Sequence, residues 1–212
     1  MRAFTGLTLA GMMFWSVSNA YGQPTISAEV ARHRSEPGKV LYFGGMAEPS
    51  PLTLEQMTKA SSLVLEAQLR TLRTERLKND KGVRTDFTVI PTRIHHGVVA
   101  GNVATPGASV PIVLSVKQGR LVVDGLVIIG DVMGFEPLKD GVSYLLFLAP
   151  SVTKEPGHYQ LYNYGAFELN SDTMRPLARD GRNVFRDWVA DSYTMTAQKM
   201  ATVATTKMIR LR

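Results

Sequence analysis

The chain has 212 residues, 44% of them hydrophobic, a formal net charge of +6 and no cysteine. Without cysteine there are no disulfides, no thiolate metal sites, no thiol nucleophile and no acylated lipoprotein cysteine. A chain of this length must then be held by its apolar core, and it is sized for one domain with appendages.

Arg2 gives a positive start, Ala3 to Val17 carries no charge, and Ser18-Asn19-Ala20 supplies small residues for cleavage. Residues 1–20 thus have the form of a secretory signal peptide, cut near Ala20 or alternatively after Gly22. Polar Ser16, Ser18 and Asn19 leave the apolar run short of the roughly 20 residues of a membrane span. The expected location is periplasmic or secreted, with no membrane span.

Residues 21–51 are rich in Gly, Pro, Ser and charge around one apolar cluster, Val40-Leu41-Tyr42-Phe43. They read as a flexible leader that docks through that cluster. Thr53-Leu54-Glu55-Gln56 has the form of a capping box and predicts a short helix from Leu54 to about Ala60. From Leu63 to Arg73 two periods compete: alternation of Leu63, Leu65, Ala67 and Leu69 with Glu66, Gln68 and Arg70 suits a half-buried strand, while the composition suits a helix. Strand is the choice, because Asn79-Asp80-Lys81-Gly82 then turns a long hairpin.

Thr85 to Ile94 continues as a strand until Pro91 removes a ladder donor, which implies an edge or a bulge. Gly97 to Gly107 reads as a loop. Val110, Ile112, Leu114 and Val116 share one face of the next strand; Gln118-Gly119 turns it into Leu121 to Val123, Asp124-Gly125 interrupts, and Leu126 to Ile129 continues. Val142 to Leu148 is apolar on both faces, the mark of a central covered strand. Tyr159 to Tyr164 and Ala166 to Leu169 make a last hairpin about Gly165, and Arg182 to about Thr205 reads as a helix packing through Phe185, Trp188, Val189 and Tyr193.

The strand order so read resembles exported bacterial domains built like the netrin or tissue-inhibitor-of-metalloproteinase module, an OB-like barrel. The residues carrying the resemblance are Ser62 to Ala67, Thr85 to Val89, Pro106-Gly107 before Val110 to Val116, and Gly134-Phe135-Glu136-Pro137 followed by Asp140 to Leu148. It covers roughly residues 55–170. The expected fold is mostly β, an OB-like closed antiparallel β-barrel domain over 52–170 that begins with a short helix, followed by a C-terminal helical extension over 171–212. The resemblance implies a binding or inhibitory module rather than an enzyme. That family's inhibitors chelate a protease metal through an N-terminal cysteine, which this chain lacks, and a short Lys-Gly turn expected after the second strand is replaced by His95-His96-Gly97.

Candidate binding residues fall into two groups. Arg70, Arg73, Arg76, Lys78 and Lys81 crowd the hairpin and suit an anionic partner, and Tyr159, Tyr162 and Tyr164 could stack bases or seal a barrel end. His95 and His96 are the weak metal candidates; strand neighbours point to opposite faces, so a solvent-exposed pair at a strand end is expected. No catalytic residue, metal or cofactor is assigned. Three function classes follow: an exported non-catalytic module recognising a protein or cell-envelope component, a binder of an anionic polymer or single-stranded nucleic acid, and a hydrolase without a recognised motif. The first is preferred.

Overall fold

The computed structural model describes residues 23–47, 50, 52–97, 111–152, 155–171, 173–178 and 196–202. In chain order the elements are α1 (Ile26–Arg32), β1 (Val40–Met46), α2 (Leu54–Ala60), β2 (Leu63–Arg76), β3 (Val83–His96), β4 (Ile112–Val116), β5 (Gly119–Val123), β6 (Leu126–Met133), β7 (Ser143–Pro150), β8 (His158–Asn170) and β9 (Thr173–Pro176). Residues 196–202 are also helical.

Five strands close a ring. Hydrogen-bonded neighbours run β4-β3-β2-β7-β8, and a parallel pairing of β4 with β8 through Val113↔His158 and Leu114↔Tyr159 shuts the seam. Counted along the barrel alone this is the order 1-2-3-5-4-1 of an OB-like fold, and the other pairings of the ring are antiparallel. β9 extends the sheet from β8. Between β4 and β7 the chain makes the β5–β6 hairpin, and β1 adds to β6 in parallel, forming a separate three-stranded sheet.

The barrel interior follows from alternation. Leu63, Leu65 and Ala67 lie opposite Leu148, Leu146 and Tyr144, and all are buried, as are Phe87, Ile112 and Leu114. Full burial of each large side chain contributes about 1.5–3 kcal/mol. The other face of β7 is equally dry: Leu145 and Phe147 are fully buried, with Phe147 edge-on to Phe167 at 6.0 Å. Met57 of α2 reaches this layer, and α2 itself starts from the expected capping box between Thr53 and Gln56. β7 is thus the covered central strand that its composition predicts.

The strand reading of Leu63–Arg73 holds, and Pro91 sits at a register break where β3 has already run past β4. Four expectations need correction. Of the leader read over 21–51, the described stretch 23–47 is built into the fold: Thr25 caps α1, Ile26 and Val30 at helical spacing bury against Phe43, Leu126 and Ile128, and Val40–Met46 joins β6. Asp124-Gly125 reverses the chain rather than interrupting a strand, with φ of 49° and 80° at the two turn positions. Tyr159 to Leu169 is one bulged strand, not a hairpin. The register skips between Leu146 and Leu148, where Asn163 and Tyr164 adopt positive φ, and the true hairpin turns at Ser171 into β9. The stretch after Asn170 therefore begins with a strand, since Met174, Leu177 and Ala178 have an apolar layer to bury against.

Residues 1–20 and Arg182 to Tyr193 lie outside the described residues, as does the loop beyond Gly97. Met200, in helical 196–202, is buried in the main core.

Candidate functional site

β2 runs on from Gln68, where its pairing with β7 ends, to Arg76, and so carries the tip of the β2–β3 hairpin toward the three-stranded sheet. Its turn is locally determined. Leu77 N–H donates to Gly82 O at 2.9 Å, Asp80 N–H to Leu77 O at 2.8 Å, and Lys81 N–H to the Asn79 side chain at 3.1 Å. Asp80 stands at φ 55°, a left-handed position that Asp tolerates better than most residues. Its carbonyl accepts from Ile26 N–H at 2.7 Å and its carboxylate from Ser27 N–H at 2.8 Å, so the tip is bolted to the start of α1. Burial pushes the Asp80 carboxyl up, but the Ser27 hydrogen bonds and the Arg76 charge outweigh it and hold the pKa below its ordinary value.

A cleft of about 300 Å³ opens where the tip, β1, β6 and the β8 bulge meet. Its polar wall holds Gln23, Asn79, Lys81, Lys117, Asp131 and Tyr164, and its floor includes Gly44, Gly45 and Phe43. Two glycines permit the approach. A Cβ on Gly44 would stand 1.7 Å from Asp131 O, and one on Gly130 would stand 2.5 Å from Val83 Cβ. Two ammonium groups against one carboxylate leave the cleft net positive. Lys81, Lys117 and Asp131 form no ion pair with any described residue. A concave site with a few convergent polar groups is the usual form of a ligand-contact site.

Lys81 and Tyr164, far apart in sequence, are brought together here. Of the other four residues of the basic cluster, Arg73 and Arg76 are spent on internal pairing. Arg73 donates to Asp86 at 2.8 Å and Arg76 reaches Asp80 at 3.4 Å. Arg70 and Lys78 are exposed. Tyr159 is buried at 8% exposure, and Tyr162 and Tyr164 are half-buried, the latter tilted on Phe135 at 5.7 Å. Tyr159 is therefore a core residue and offers no stacking face; the others seal the bulge.

Asp86 is the functional-looking residue that composition missed. In register across three strands stand Arg73, Asp86 and Ser115, with the Asp86 side chain 2% exposed. Ser115 donates to it at 2.6 Å, and Arg84 Nε lies 3.2 Å away. Burial again pushes the carboxyl up, and Ser115 with the two guanidiniums pulls it below its usual value. The signal was present: with the turn at Leu77–Gly82, simple antiparallel counting sets Arg73 against Asp86.

The histidines do not make the exposed pair expected of them. A register break at His95 turns its ring inward, leaving the side chain 3% exposed with Nε2 2.7 Å from Glu66 Oε1. Desolvation lowers the His95 pKa against the pull of Glu66. His96 is half-buried. Among the described residues no cluster of three or more His, Cys, Asp or Glu could hold a metal ion, and no helix is long and apolar enough to cross a membrane. No protein-family model matches this chain, and no curated protein matches it either.

Proposed function

We propose that this chain is an exported, non-catalytic binding module that recognises a protein or cell-envelope component through the cleft at the tip of the β2–β3 hairpin. The observation that carries the reading is the convergence of Lys81, Lys117, Asn79, Gln23 and Tyr164 on one concavity, beside a barrel whose own interior is filled by side chains. In OB-like folds the loop between the first two strands commonly contributes to ligand contact, which favours this end of the barrel by analogy. Likeness to the netrin and tissue-inhibitor module belongs to the same proposal, with a mechanism that does not use that family's chelating cysteine. Binding of an anionic polymer is the weaker reading, because Arg73, Arg76 and Arg84 already face Asp86, Asp80 and Glu75, and Tyr159 is buried.

The test is site-directed photocrosslinking in the cell envelope. A photoreactive side chain at Lys81 gives a discrete adduct, and one at Val152, which is 82% exposed in the β7–β8 connection, gives none. Adducts of equal yield and identity from both positions would refute the placement. Amino-terminal sequencing of the recovered protein tests export, with a start near Tyr21 or Gln23 expected.

A further inference from the structure

The phase of the β1–β6 ladder fixes what β1 shows to the outside. Val127 N–H donates to Lys39 O at 2.9 Å and Ala47 N–H donates to Met133 O at 2.7 Å. In a parallel ladder alternate residues of one strand face the partner. The N–H and C=O groups of Leu41, Phe43 and Gly45 therefore face β6, and those of Val40, Tyr42, Gly44 and Met46 face away from it. Among the described residues β1 pairs only with β6. Among the described residues, the polar contact on its outward edge is the Gln23 side-chain amide donating to Gly44 O at 3.2 Å.

Open sheet edges invite strand addition, and proteins usually guard them with charge, proline or bulges. The other edges left open among the described residues are guarded. β5 carries Arg120, β9 carries Arg175 and Pro176, and the part of β3 beyond β4 carries Pro91, Arg93 and two register breaks. β1 reads Val-Leu-Tyr-Phe-Gly-Gly-Met, seven residues with no charge, no proline and no register break. Its Gly44 and Gly45 line the cleft together with Lys81, Lys117 and one carboxylate, that of Asp131, the ladder partner of Gly44, so the lining carries a net positive charge.

We infer that the outward edge of β1 is a docking site for an extended peptide segment of a partner protein, one that carries a carboxylate and seats it in the cleft between Lys81 and Lys117. This rests on the binding-module reading and names the chemistry of its ligand. Main-chain hydrogen bonds to Val40, Tyr42 and Gly44 supply affinity, as in other strand-addition complexes. The two ammonium groups select an acidic segment over a basic one. Gln23 occupies the Gly44 carbonyl until the peptide N–H replaces it.

Fluorescence anisotropy with labelled octapeptides tests this on the purified protein. The probes are an alternating Glu–Val peptide, its Lys–Val counterpart, and the Glu–Val peptide with alternate amides N-methylated. The Glu–Val peptide binds, and each of the other two binds at least about tenfold more weakly, the effect of losing charge-assisted or main-chain hydrogen bonds. Tyr42→Pro removes one outward donor without touching the ladder to β6, and with Lys81→Glu it weakens binding by a similar factor; Gln23→Ala tightens it. If Tyr42→Pro does not fold, the N-methylated peptide makes the same test from the ligand side. Binding that ignores N-methylation, or no binding of any probe, overturns the inference. So does a concentration-dependent dimer in sedimentation equilibrium that Tyr42→Pro abolishes, since the occupant would then be a second copy. A partner of another shape would still crosslink at Lys81, which separates failure here from failure of the binding-module reading.

Discussion

Asp80 accepts the Ser27 amide at 2.8 Å across 53 residues of sequence, and this contact fastens the hairpin tip to the helix that precedes β1. One wall of the cleft is thereby held against another. Asp80→Ala removes the acceptor and puts at φ 55° a side chain without the polar group that lets Asp tolerate this region, so it costs about 1–2 kcal/mol in urea unfolding. Asp80→Asn keeps an acceptor and tolerates the backbone, and costs less. Equal losses from both would show that the charge alone is responsible.

Asp86 contributes to the acid limb of stability. Its folded pKa lies below the ordinary 3.8, so the stabilisation is complete above that value and is lost as pH falls through the lowered one. Asp86→Asn flattens this part of the pH–stability curve. At neutral pH it costs about 1–3 kcal/mol, the lower end being favoured because Arg73 is half exposed and screened by water. An unchanged acid limb in the variant would remove Asp86 from this role.

His95 acts in the same sense but at a higher pH. Its folded pKa is depressed below 6.5, chiefly by desolvation. The unfolded chain therefore binds the proton first, and stability declines as pH drops below about 6.5 toward the folded value. His95→Gln, which cannot take up that proton, lessens the decline between neutral and mildly acidic pH. Thermal melts at stepped pH measure it.

Gly165 tests the corrected topology. A Cβ there would lie 2.0 Å from Met57 Cε and 2.8 Å from Phe147 Cβ. Gly165→Ala forces the layer apart and costs about 1–3 kcal/mol. The Met57 end can swing away and the Phe147 Cβ cannot, so adding Met57→Leu recovers only part of the loss. A neutral Gly165→Ala would mean that the bulge is not packed as described.

Much of the fold is legible in the sequence because one face of each barrel strand must be dry. Leu63, Leu65, Ala67 and Leu69 declare their face by alternation, and Tyr144 to Leu148 declares burial on both. What composition conceals is compensation at a distance. β1 looks like leader because its apolar cluster is brief and its neighbours are Gly and Pro, yet pairing with β6 supplies its hydrogen bonds. Tyr159 to Leu169 looks like a hairpin because Gly165 resembles a turn, although the glycine is there to admit Met57. The site was only half visible. Lys81 and Tyr164 stood out as a cation and an aromatic ring, but Gln23, Lys117 and Asp131 carry no motif and meet only through the docking of the hairpin tip.

The most direct test of the cleft as contact surface compares partner capture from envelope extract by the unmodified protein, the Lys81→Glu/Lys117→Glu variant and Arg70→Glu. Arg70 is exposed on the basic strand with no ion pair to a described residue, so its reversal probes the barrel face instead. Loss of at least about tenfold in the double variant, with capture retained by Arg70→Glu, is the predicted result. Undiminished capture by the double variant, or loss confined to Arg70→Glu, would contradict the account.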